Sequence, residues 1–98
     1  MFSDLYAQDQ RLAILRILEQ DTTAYTVNES MLQDCMGRLG HKCSRDCVRT
    51  LLAWLKEQGL VTIEESLGFY VATLTSRGLD VAQGIATAPG VKRPRPKG

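Results

Sequence analysis

Residues 44–61 read SRDCVRTLLAWLKEQGLV. Ser44 is a good N-cap, and Asp46 in the first turn suits the positive end of a helix dipole. Val48, Leu52 and Leu55 then recur at helical spacing, flanked by Leu51 and Trp54. Gly59 stands where a helix stops in the left-handed conformation. The stretch predicts a capped helix over about 45–58 that runs directly into a strand.

Working outward, Leu60–Glu64 and Phe69–Leu74 read as two strands of a hairpin with its turn at Glu65–Gly68. Upstream, Asn28 caps a helix over about 29–39. Its apolar stripe is Met31, Leu32, Cys35, Met36 and Leu39, and its stop is Gly40. A few residues around that glycine join it to the 45–58 helix, as in a helix-turn-helix. Ala24–Val27 is short and β-prone. Residues 4–20 form a first helix with Leu5, Leu12, Leu15 and Leu18 near one face. Thr75 caps a last helix over about 76–84. The expected fold is α+β, a winged helix-turn-helix with a three-helix core, a β-hairpin wing and a C-terminal helix.

Several stretches resemble bacterial winged-helix regulators of the ArsR and MarR type. They are SRDCVRTLLAWLKEQGLV, LTSRGLDVA and Tyr25-Thr26-Val27-Asn28. RLAILRILEQD, NESMLQDCMGRLGH and the ending PGVKRP are most similar to a family of small ArsR-like winged-helix proteins from Mu-like phages and prophages. The resemblance covers about residues 5–84. It implies transcription regulation by analogy of fold. The hairpin turn departs from the pattern: where DNA-binding wings generally offer a cation to phosphate, this one carries Glu64 and Glu65. The cysteine-rich metal-sensing motif of ArsR-type sensors is also absent in recognisable form.

The chain has 98 residues, which suits one domain. Its formal net charge is +1, unevenly spread. Lys92, Arg93, Arg95 and Lys97 put four positive charges and no acid in the last ten residues, leaving a folded body that is net acidic. Residues 1–88 are assigned to the domain. Residues 89–98, rich in Pro and Gly, are expected to be a disordered basic tail. An acidic body counts against strong nonspecific affinity for DNA.

No apolar run approaches the roughly 20 residues of a membrane span. The start, MFSDLYAQDQ, is unlike a secretory signal. Cys35, Cys43 and Cys47 are odd in number and lack a C-x-x-C spacing. They are expected as reduced thiols in a cytoplasmic protein. His41 with Cys43 and Cys47 falls short of the tight four-ligand spacing of structural zinc, so no metal and no cofactor are expected. With one histidine and no phosphate loop, no catalytic constellation can be assembled, and no enzyme is expected.

Two function classes remain open. The first is a DNA-binding regulator that places helix 45–58 in the major groove of double-stranded DNA. Arg45, Arg49 and Thr50 would meet base edges, Lys42 and Ser44 would meet phosphate, and Lys92, Arg93 and Arg95 would add general affinity. Its alternative is a protein-interaction winged helix, accessory to phage DNA packaging or assembly, with the acidic body facing a basic partner. The resemblance further implies a homodimer through helices 4–20 and 76–84.

Overall fold

The computed structural model describes residues 2–95. The order of elements is α1 (Phe2–Glu19), β1 (Thr26–Asn28), α2 (Glu29–Arg38), α3 (Arg45–Glu57), β2 (Val61–Ser66), β3 (Phe69–Leu74) and α4 (Ser76–Ala82). Four helices and a three-stranded antiparallel sheet of order β1-β3-β2 make an α+β fold compatible with a winged helix.

Local chemistry sets the helix starts. Asn28 accepts from the Met31 N–H at 2.8 Å, Ser44 from Cys47 at 3.1 Å and Thr75 from Gly78 at 3.0 Å. Each such cap contributes about 1 kcal/mol by satisfying a donor that the helix itself cannot. In the sheet, Thr26 pairs with Thr73 and their hydroxyls hydrogen-bond at 2.8 Å. Strands β2 and β3 run in register from Val61–Leu74 to Ser66–Phe69. The turn is therefore the two residues Leu67 and Gly68, tighter than the turn the sequence predicts. Both have positive φ, 52° and 83°. A two-residue hairpin with that geometry matches the twist of its strands, and glycine tolerates it without strain.

The core is continuous. Ile14, Leu15 and Leu18 of α1 meet Leu32 and Met36 of α2, Val48, Leu52 and Leu55 of α3, and Ala72 of β3. Val81 and Ala82 bury α4 against the same cluster. The apolar stripe of helix 76–84 is thus occupied within the protomer.

Three residues assigned to buried stripes lie outside the core. Leu5, Met31 and Leu39 are 64%, 52% and 60% exposed. Their periodicity is helical, but in α1 burial begins only at Gln10, and in α2 only Glu29, Leu32 and Met36 are buried.

Two further expectations are corrected. The thiols are not all free: Cys43 and Cys47 form a disulfide, with Cys35 free. The extended backbone of Ser44 folds Cys43 back over the first turn of α3. This places the two Cα atoms 5.4 Å apart, within disulfide reach.

The tail is also ordered where it leaves α4. Ala88 is buried, Val91 packs on the core, and the Lys92 N–H donates to the Gln8 carbonyl at 3.2 Å. Arg11 lies over the Trp54 ring at 3.9 Å and donates to the Gly90 carbonyl at 2.9 Å. Residues 96–98 of the expected tail lie outside the described residues.

This docking has a spectroscopic consequence. A Cβ at Gly90 would come 2.6 Å from Trp54 Cζ2, at a φ of +94° that side chains rarely adopt. Gly90→Ala is expected to lift residues 89–92 from α1 and expose Trp54, the single tryptophan. Its emission should shift to the red and the Lys92 amide should exchange faster. An unchanged spectrum would show that the segment does not cover Trp54.

Candidate functional site

The exposed side of α3 and the neighbouring hairpin form the most distinctive surface. Asp46, Thr50, Ala53 and Glu57 recur at i, i+4, i+7 and i+11, all exposed. They make one outward stripe along the helix. It carries two acids and no cation. On the hairpin, Glu64, Glu65 and Ser66 are exposed as well.

The arginines of α3 lie to one flank of that stripe, against the hairpin. Arg49 donates from Nε and Nη2 to the two carboxylate oxygens of Glu29 at 2.8 and 2.9 Å. Its Nη2 also donates to the Gly68 carbonyl at 3.0 Å. Its guanidinium lies 4.1 Å from the Tyr70 ring centroid. Arg45 sits over Phe69 at 5.1 Å, with Nε 3.7 Å from Glu29, and about half of its side chain remains open to solvent.

Glu29, the first residue of α2, is buried and lies at the centre of this arrangement. It accepts from Arg49 and from the Tyr70 backbone N–H. The Arg49 hydrogen bonds hold its carboxyl below the ordinary range against the opposing push of burial, and Tyr70 and Arg45 add to the lowering. The same pairing raises Arg49. Bidentate pairing of this kind satisfies both groups and fixes their geometry. The result is a latch that ties the start of α2, the flank of α3 and the hairpin turn into one unit.

Arg49, one of the residues expected at base edges, is paired in the structure with Glu29 and the turn, as a buried carboxylate requires a charged or hydrogen-bonding partner. Lys42, Ser44, Arg45 and Thr50 are exposed around the start of α3. The tail residues stand apart from them. Lys92 Nζ lies 3.6 Å from Asp9 of α1, and Arg93 and Arg95 are exposed. Arg11 and the tail meet α3 on the Trp54 flank, opposite Arg45 and Arg49 on the helical wheel.

A second feature is an open groove of about 910 Å³ between α1 and α2. Leu12, Ala13, Ile17, Val27, Met31 and Cys35 give it an apolar floor, and Arg16 and Arg38 line it with cations. His41, nearly buried, lies at its end with Nε2 3.7 Å from Asp9. Among the described residues, no three His, Cys, Asp or Glu side chains gather into a group able to hold a metal ion. Among them, too, no helix is long and apolar enough to cross a membrane.

The chain is 55% identical over 97 residues to the uncharacterized protein gp26 of Escherichia phage Mu, covering 99% of both chains. It belongs to the Mu gp26 family. An uncharacterized protein of Haemophilus influenzae is 43% identical over 97 residues, 98% of this chain and 93% of its own. No family model matches the sequence. The phage relative agrees with the Mu-like resemblance read from the sequence. For this gp26-family chain, sequence reasoning credited Glu29 with a dipole role and missed its part in the latch. No local signal marks it, since its partners lie 20 and 41 residues away. Leu67 was also missed. Its signal was there: an apolar residue before a glycine in a turn that favours Asn or Asp.

Proposed function

We propose that this protein is a winged-helix protein-docking module of a Mu-like phage, accessory to DNA packaging or assembly. In this reading it presents the α3–hairpin face to a basic protein surface. The observation that carries the reading is the outward stripe of α3. A winged helix that reads DNA puts cations where phosphate and base edges arrive. Here the outermost stripe of α3 holds Asp46 and Glu57, and Glu64 and Glu65 stand exposed on the hairpin. Arg49, whose fork would suit guanine, is neutralised by Glu29. The phage Mu relative supports the setting.

A second reading, a DNA-binding regulator, draws on the exposed start of α3. Lys42, Ser44, Arg45 and Thr50 surround that start, which follows α2 in helix-turn-helix order.

Titration with mixed-sequence duplexes at low and physiological salt separates the two. The docking reading expects no binding at physiological salt and at most weak, strongly salt-dependent binding at low salt. The regulator reading expects persistent binding, weakened by Arg45→Ala more on a preferred site than on random DNA. It also expects binding to be strengthened by Glu64→Lys with Glu65→Lys, because two like-charge repulsions are removed. That second pattern would overturn the docking reading.

A further inference from the structure

The bridge between Cys43 and Cys47 closes a very short loop, with a sequence separation of four. Chain-entropy stabilisation by a disulfide grows with loop length, so a loop this short adds little to the fold. The segments it joins are consecutive and already fixed. The Ser44 hydroxyl accepts from the Cys47 N–H at 3.1 Å, and the Ser44 carbonyl accepts from the Val48 N–H at 3.0 Å. The core beneath them is filled by Ile14, Leu15, Leu52 and Leu55, all fully buried, and neither sulfur belongs to it. A covalent bond that the fold does not need points to chemistry at the sulfurs themselves.

The surroundings suit thiol–disulfide exchange. Both cysteines pack against the core yet are only partly buried, so a small thiol can reach them. Cysteines buried in apolar surroundings are inert by contrast. Cys47 lies in the first turn of α3, a helix of 13 residues, where the positive end of the dipole favours a departing thiolate. Lys42 and Arg45 are exposed beside the pair in sequence, against one acid, Asp46. What the bridge does hold is the connection between α2 and α3. The His41 N–H donates to the Met36 carbonyl at 2.8 Å. Among the described residues, the N–H groups of Lys42, Cys43 and Ser44 then make no backbone–backbone hydrogen bond. The Cys43 sulfur is therefore the anchor of residues 42–43.

We propose that Cys43 and Cys47 are a redox-active pair, a site of exchange with small thiols and disulfides such as glutathione, with the protein folded in both states. A glutathione thiolate attacks the Cys43 sulfur, the bridge breaks, and its electron pair leaves on Cys47. A second thiolate attacks the mixed disulfide on Cys43. That step releases glutathione disulfide and leaves two cysteine thiols, whose protons come from the two glutathione thiols. The reverse reaction remakes the bridge and reduces glutathione disulfide. The oxidised state pins residues 42–43 to α3, and the reduced state frees them. The exchange thus acts on the connection of the helix-turn-helix, where α3 begins. It is independent of whether α3 and the hairpin face a protein or DNA.

The full chain, without denaturant, is equilibrated in mixtures of reduced and oxidised glutathione. Thiols are trapped by alkylation after acid quenching and located by peptide mass, which separates the pair from Cys35. The bridge is expected to open in one two-electron transition as reduced glutathione rises, with an unchanged circular dichroism spectrum. Amide exchange over residues 42–47 should be more than about tenfold faster in the reduced protein. Cys47→Ser should show the fast exchange in every redox buffer. A bridge that resists excess reduced glutathione until denaturant is added would be structural, and would overturn the proposal. Unfolding on reduction, or equal exchange in the two states, would overturn it as well. The comparison of the two wild-type states does not depend on the variant folding.

Discussion

Replacing Glu29 by glutamine is expected to cost about 2 kcal/mol of folding stability at neutral pH. The carboxylate is buried and accepts two hydrogen bonds from Arg49 and a third from the Tyr70 N–H. Glutamine keeps the shape but offers one acceptor oxygen where all the neighbours are donors. Its amide nitrogen must therefore face an N–H group. The Arg49 side of the pair is partly open to water, which keeps the loss at the lower end for a buried ion pair. For a domain of this size the change should lower the melting temperature by roughly 10–15 °C. The pH dependence has a definite sign. The folded-state pKa of Glu29 lies below its ordinary value, so its contribution is fully present above the unfolded pKa of about 4.3. It is lost as pH falls through the folded value. The wild type and Glu29→Gln should thus differ most near pH 7 and converge in acid below about pH 4. Thermal melts followed by circular dichroism across this range give the comparison. Equal melting temperatures at pH 7 would mean that the latch does not hold the hairpin.

The parts of the fold that were legible are those written in local chemistry. Asn28, Ser44 and Thr75 act on N–H groups three residues away, so a short window of sequence contains both partners. The hairpin was legible because its strands alternate around a glycine. What was not legible depends on distant partners. Glu29 reads as a first-turn acid until Arg49 and Tyr70 are brought to it through the packing of α2 against α3 and β3. Residues 89–92 read as a loose tail because composition reports side chains. Their anchors are the Gly90 carbonyl and the Lys92 N–H, which every sequence possesses. Leu5, Met31 and Leu39 have the spacing of core residues, yet periodicity does not say whether a neighbouring element arrives to cover them. Met31 and Leu39 line the groove instead.

These differences bear on the surface as much as on the core. Had Arg49 been free, the start of α3 would have offered a pair of arginines one turn apart. The latch neutralises one of them, on the flank of the stripe that carries Asp46 and Glu57. The same latch fixes the hairpin, so the position of Leu67 follows from the burial of Glu29.

Gly78→Ala provides the opposite kind of test, in which local propensity and packing predict different signs. Alanine is better than glycine within a helix by about 1 kcal/mol, so propensity alone predicts a more stable protein. In α4, however, a Cβ at position 78 would run into the carbonyl oxygen of Leu60 and come 2.9 Å from both the Leu60 carbonyl carbon and Leu74 Cδ2. Leu60 cannot yield easily. Its N–H donates to Leu55, closing α3, and its carbonyl accepts from Thr75 at 3.1 Å. The Thr75 hydroxyl is tied to Gly59 at 2.7 Å. Helix α4 would have to back away from the junction of α3 and β2, loosening Val81 and Ala82 from the core. The clash is with backbone, so the net loss is expected to be about 2–3 kcal/mol even after the propensity gain. The melting temperature should fall by roughly 10–20 °C, with faster amide exchange over residues 79–82. Gly37→Ala is the matched control. It lies within α2, with open space where the methyl group would go. There the same substitution should raise stability by about 0.5–1 kcal/mol. If both variants were stabilised alike, the close approach of α4 to Leu60 would be wrong, and with it the packing that closes the fold at its C-terminal end.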